Sequence, residues 1–166
     1  MNDWCYAVGG LGEDFGLFGD IDHLIRVTVR LMLAATCGGL LGYQRERTGK
    51  AAGLRTHMLV AVGAAFFALA PLERGMSLSD ISRVIQGIVT GIGFIGAGAI
   101  LKQTEQGAVR GLTTAAGIWL TCAIGVAIGI GQMVAALIGT VLALVVLAVI
   151  PRISRWAEEE DETRPS

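Results

Sequence analysis

Five apolar runs of membrane-spanning length, divided by short charged breaks, leave this chain few folds to choose from. They fall at about Leu24 to Gln44, Leu54 to Leu72, Ile81 to Leu101, Gly111 to Ile130 and Met133 to Ile150. A helix crosses a bilayer core with about 20 apolar residues, and within lipid the backbone must satisfy its own polar groups. Continuous apolar runs, as opposed to short alternating ones, predict helices. Composition agrees, with 53% hydrophobic residues, 16% charged residues, 24 glycines in 166 residues and a mean hydropathy of +0.63. These are values of a polytopic membrane protein, not of a soluble domain. The expected architecture is an all-α transmembrane bundle of about five spans over residues 23–151. An acidic N-terminal tail (1–22) precedes it and a charged C-terminal tail (152–166) follows.

The placement of charge orients the spans. Residues 1–22 hold Asp3, Glu13, Asp14, Asp20 and Asp22 but no Lys or Arg, unlike the basic start of a secretory leader. With the N-terminus outside, the inner face receives Arg45, Arg47, Lys50, Arg55, Lys102, Arg110, Arg152, Arg155 and Arg164. Only Arg26, Arg30, Arg74 and Arg83 remain for the outer face. That asymmetry predicts an outer N-terminus and a cytoplasmic C-terminus.

The first inner connection has a distinctive wording, Gly42-Tyr43-Gln44-Arg45-Glu46 followed by Ala52-Gly53-Leu54-Arg55-Thr56-His57-Met58-Leu59-Val60. With QGIVTGIGFIGAGAI (86–100) and VRGLTTAAGIWLTCAIG (109–125), it resembles the membrane domain of the MgtC/SapB family of bacterial inner-membrane proteins. The resemblance covers roughly residues 24–131. Gln44 stands where members often have Glu, which removes any role needing a carboxylate there. Longer members add a soluble C-terminal domain, for which this sequence has no room. The resemblance implies a multi-pass inner-membrane protein tied to growth at low magnesium and survival inside host cells. It also implies a regulator of another membrane protein, the proton-translocating ATP synthase in the best-known case.

Glycine patterns predict packing. In lipid, helices associate where small residues let backbones approach. Gly87, Gly91, Gly93, Gly96 and Gly98 of the third run and Gly125 and Gly129 of the fourth therefore mark these two spans as the crowded centre, with the fifth facing lipid or a neighbouring subunit. Five glycines in twelve residues also leave open an unwound third span, as in transporters. Gly91-Ile92-Gly93-Phe94-Ile95-Gly96 fits the dinucleotide fingerprint by letter only, because strand and downstream acid are missing. Gly49 to Thr56 and Gly107 to Thr114 share the pattern Gly-x-x-x-Gly-Leu-x-Thr. This suggests two helical hairpins related by an axis along the membrane normal.

Polar residues within the runs are the site candidates. Arg83, Gln86 and Thr90 share a face of span 3, and Arg110 and Thr114, with Thr113 beside them, open span 4. The threonines can bond back to their own helix, whereas an amide in hydrocarbon such as Gln86 needs polar partners. Arg26 and Arg30 either snorkel to the outer interface or turn inward to an anion, Glu73 or Asp80. At the inner end, Arg45, Arg55 and Arg110 could form an anion site, or Arg55 could lock Glu46. Thr56 and His57 lie beside them, His57 as an interfacial side chain with one satisfied nitrogen.

These features exclude more than they assign. Cys5, Cys37 and Cys122 suit neither a disulfide framework nor a metal knuckle. The spans hold no carboxylates for bare magnesium, so no metal or cofactor is expected. No nucleophile elbow or carboxylate pair points to an enzyme, and the basic residues form no aromatic-interleaved stripe for nucleic acid. Two classes remain: a membrane regulator acting through a partner, or a small ion or solute transporter with its path along span 3. Partners expected are the lipid bilayer, another inner-membrane protein and further copies in a homo-oligomer.

Overall fold

The computed structural model describes residues 21–101 and 111–162. Among them all regular structure is helical: α1 (Ile21–Arg47), α2 (Leu54–Glu73), α3 (Leu78–Leu101), α4 (Leu112–Gly129) and α5 (Met133–Glu162). The first four are long and apolar enough to cross a membrane, and the apolar part of α5, Met133–Val149, is shorter. Cys5, Lys102, Arg110 and most of the acidic N-terminal stretch lie outside the described residues. Helix α5 continues through Pro151 to Glu162, so most of the expected C-terminal tail is an extension of the last helix.

Three helix ends follow from single glycines. Gly49, Gly75 and Gly131 have φ of 67°, 73° and 88°, a region costly for residues with a Cβ. After α1, the Gly49 N–H donates to the Glu46 carbonyl (3.0 Å) and the Lys50 N–H to that of Arg45 (3.1 Å). The same double closure ends α2 at Gly75 and α4 at Gly131. It is the Schellman arrangement, which satisfies carbonyls that a helix end leaves open.

Helix α4 is the centre: 56% of its apolar window is buried, against 11% for α3. Its closest neighbour across the core is α2. A Cβ on Gly129 would stand 2.5 Å from the Ala65 carbonyl oxygen, and one on Gly125 would run into that of Ala61. Helix α1 meets α2 as closely, a Cβ on Gly42 falling 2.7 Å from the Leu54 Cα. Facing small residues continue this seam, with Ala34, Ala61, Ala65 and Ala68 fully buried. Close backbone approach is how helices gain packing in lipid.

The expected pairing of spans 3 and 4 as the crowded centre is therefore half right. The centre is α1, α2 and α4, and the span 1 signal was Gly38-x-x-x-Gly42. On α3 only Gly96 meets a neighbour, its Cβ position lying 3.6 Å from the Ala115 Cβ; Gly87, Gly91, Gly93 and Gly98 face open space. Helix α3 runs unbroken over its whole length, so its glycines do not unwind it. It packs through Ile81 and Ile92. Helix α5 turns Val134, Leu137, Ile138, Val141, Leu142 and Val145 outward, as expected of a span facing lipid or a neighbour.

The matched glycines of the suggested repeat both sit just before a helix but differ in backbone: Gly53 is extended (φ −104°, ψ −154°) and Gly111 left-handed (φ 96°, ψ −5°). The two turns are thus not equivalent at that position.

Candidate functional site

The last turn of α1 sends consecutive side chains to different elements, because successive residues on a helix point about 100° apart. Tyr43 is outward, with the Arg47 guanidinium 5.6 Å from its ring centre. The Gln44 Nε2 donates to the Leu147 carbonyl of α5 (3.0 Å). Arg45 turns inward, and its Nη2 donates to the Thr114 hydroxyl of α4 (3.2 Å). The Glu46 Oε2 accepts the Leu54 N–H at the start of α2 (2.8 Å). One turn of α1 thereby ties α5, α4 and α2 together. A carboxylate on the first N–H groups of a helix also meets the positive end of its dipole. At Gln44 an amide is the fitting group, since an ionised carboxylate could not donate to a carbonyl.

His57, in the first turn of α2, is fully buried. Its Nδ1 lies 3.0 Å from the Gly53 carbonyl oxygen; a carbonyl only accepts, so Nδ1 carries the hydrogen. Its Nε2 has no protein partner and faces Gly117, whose Cβ position lies 3.7 Å away. Arg45 is 3% exposed, and its Nε is likewise without a partner. His57 thus has the one satisfied nitrogen expected of it, and it is enclosed by protein because α2 begins under the last turn of α1.

The anion cluster and the lock proposed for this end both need revision. Arg45 is buried while Arg55 is exposed and Thr56 half-buried, so the two arginines have different surroundings. Arg110 lies outside the described residues. Glu46 is engaged with the α2 backbone and forms no ion pair with Arg55 among the described residues. On α4, Thr113 is exposed and Thr114 buried.

At the opposite end, the Arg30 Nη1 donates to the carbonyl of Gly129 (3.3 Å), a cation on the negative end of α4. Glu73 pairs with His23 (3.0 Å), and Asp80 accepts from the Ser77 hydroxyl (2.6 Å). Neither acid is taken by Arg30; Arg26 lies exposed on α1.

Arg83, Gln86 and Thr90 do share a face of α3, but it is the exposed face. Gln86 is thus not surrounded by the buried polar partners its position in an apolar run suggested. Thr90 bonds back to the Gln86 carbonyl (2.9 Å) and Thr121 to that of Gly117 (2.8 Å), as threonines in helices commonly do. Beside this face, an apolar cavity of about 610 Å³ opens between α2 and α3, walled by Leu59, Gly63, Phe67, Gly87, Gly91 and Ile95. Among the described residues no group of His, Cys, Asp and Glu is placed to hold a metal.

The residues that organise this end carry the distinctive wording of the sequence, and the chain as a whole is similar to known proteins. SrpB of Synechococcus elongatus is 40% identical over 79% of this chain and 78% of its own. A protein of Escherichia coli K12 named putative magnesium transporter YhiD is 43% identical over 76% of this chain and 61% of its own. MgtC of Salmonella typhimurium is 42% identical over 70% of this chain, which spans about half of that protein (48%). No solved structure matches. The MgtC family profile matches residues 31–156, and with these relatives it shows that the chain belongs to the MgtC family.

Proposed function

We propose that this chain is a non-enzymatic regulator in the bacterial inner membrane, serving magnesium or wider ion homeostasis and adaptation to stress or a host. It sits with its N-terminus outside and its 48–53 turn and C-terminus in the cytoplasm, following the charge asymmetry. It acts by docking another membrane protein at that inner end. The proton-translocating ATP synthase is the partner that family resemblance suggests. The magnesium-related name of the YhiD relative supports the homeostatic setting.

The observation that carries this reading is the contrast between a closed centre and a charged rim. Along the α2–α4 seam the backbones touch at Gly125 and Gly129, which closes off a solute path there. At the 48–53 end, Arg47, Lys50 and Arg55 are exposed on a turn held by the ties of Gln44, Arg45 and Glu46. A rigid basic rim suits recognition of an acidic partner surface. The test is co-reconstitution with purified ATP synthase in sealed liposomes. The wild-type chain is expected to slow ATP-driven proton pumping, and the R47E/K50E/R55E variant to lose that effect. Unchanged pumping with wild type would overturn the ATP synthase as partner, and magnesium flux through the chain alone would overturn the regulator reading.

One observation favours a second reading, transport. The exposed surface of α3 holds a stripe of Arg83, Gln86 and Thr90 with glycines beside it, and copies joined through that stripe would enclose a path lined by Gln86 and Thr90. In that case wild-type liposomes carry a flux of magnesium, protons or phosphate, and Gln86→Leu abolishes it.

A further inference from the structure

Arg45 and His57 reach α4 from two different helices and arrive one turn apart. Arg45 bonds Thr114 and His57 Nε2 faces Gly117, residues that share a helix face. Both side chains are more than nine-tenths buried, and each brings one polar atom with no protein partner, Arg45 Nε and His57 Nε2. No carboxylate pairs with Arg45 among the described residues. The first turns of α2 and α4 open at this same end, and helix N-termini favour negative charge.

The two atoms are chemically complementary, not alike. Arg45 Nε–H only donates. Because His57 Nδ1 gives its hydrogen to the Gly53 carbonyl, the neutral ring presents Nε2 as an acceptor. A guest that satisfies both must accept from Arg45 and donate to His57 while bringing negative charge. A P–OH oxygen of a phosphomonoanion or phosphomonoester does all three; a metal cation would meet the guanidinium charge and is disfavoured. A side chain at Gly117 would stand against the ring nitrogen, its Cβ lying 3.7 Å from Nε2.

We propose that Arg45, His57 and the bare backbone at Gly117 form a binding site for a hydroxyl-bearing phosphate oxygen. Inorganic phosphate and a lipid phosphomonoester headgroup share this chemistry. The site stands apart from the docking reading, since it is built from buried residues and not from the rim.

The test uses the full chain in phosphatidylcholine nanodiscs, titrated calorimetrically with inorganic phosphate and, in parallel, with sulfate. Sulfate at neutral pH has no proton to give to Nε2, so it is expected to bind at least about tenfold more weakly, the loss of one hydrogen bond to a charged ligand. Gly117→Ala is the informative variant. Its Cβ would make an ordinary 3.7 Å contact with Nε2, so the thermal midpoint is expected to hold while phosphate affinity falls at least about tenfold. Nanodiscs containing phosphatidic acid form the second arm. Stabilisation by that lipid alone, lost in Gly117→Ala, supports the site and assigns the guest to a headgroup. Absence of any response to phosphate and phosphatidic acid at millimolar concentration overturns the proposal. Equal affinity for sulfate, or unchanged affinity in Gly117→Ala, does so too, and the sulfate comparison needs no variant to fold.

Discussion

Arg45 shows how much one residue's direction decides here. Its neighbour Arg47 is exposed, yet both read in the sequence as inner-face charges of one loop. Charge type predicts the membrane face, but only helix phase and the position of α4 decide which arginine is buried. The Gly-x-x-Arg-Glu wording was legible as special, whereas its division of labour was not, because the partners lie on three different helices, those of Gln44 and Arg45 far along the chain. Thr114→Val is expected to leave the Arg45 Nη2 unpaired and to cost about 1–3 kcal/mol, read as a lower thermal midpoint in detergent. Pairing it with Arg45→Leu should cost less than the two single changes added together, since removing both partners avoids stranding a buried charge. Strict additivity would mean that the 3.2 Å contact contributes nothing. Glu46→Ala removes the acceptor for the first N–H of α2. A drop of about 0.5–2 kcal/mol in unfolding free energy, the usual range for a lost helix cap, is the expected result.

At the scale of the helix, glycine count and glycine burial part company. Sequence alone located the helices and most of their ends, because apolar run length and turn glycines are local signals. It placed the glycine-rich third span at the centre, whereas the buried glycines, Gly96 apart, belong to α1 and α4. Glycine spacing states that close approach is possible on a face without saying which face is inward. Two alanine substitutions separate these roles. Gly125→Ala places a methyl group against the Ala61 carbonyl, and overpacking of this kind costs about 1–3 kcal/mol. Gly91→Ala meets nothing within 4 Å, and alanine is about 0.8–1.0 kcal/mol the better helix former in aqueous scales, so it should be neutral or stabilising. Unfolding of dispersed monomers in mixed micelles compares the two. Equal destabilisation would place α3 in a tighter environment than the bundle provides.

For the whole molecule, α3 turns a polar stripe outward that a helix bathed in lipid would turn inward. It buries Ile81 and Ile92 and exposes Arg83, Gln86, Thr90 and four glycines beside Val89, Phe94 and Ile95, while the exposed residues of α5 described between Val134 and Val149 are all apolar. Lipid offers an amide no hydrogen bond. A second copy offers one, because a Gln side chain both donates and accepts and the adjacent glycines permit close approach. The homo-oligomer proposed for this chain is therefore expected to form with α3 against α3 and α5 facing outward. Cysteine cross-linking in native membranes tests this after Cys5, Cys37 and Cys122 are replaced by alanine. Thr90→Cys should give disulfide-linked dimers under mild oxidation, and Val141→Cys on the exposed side of α5 should not. Gln86→Leu in the Thr90→Cys background should lower the dimer yield if the amide bridges the copies. Cross-linking at Val141 with none at Thr90 would reverse the arrangement and place the polar face of α3 against a different protein.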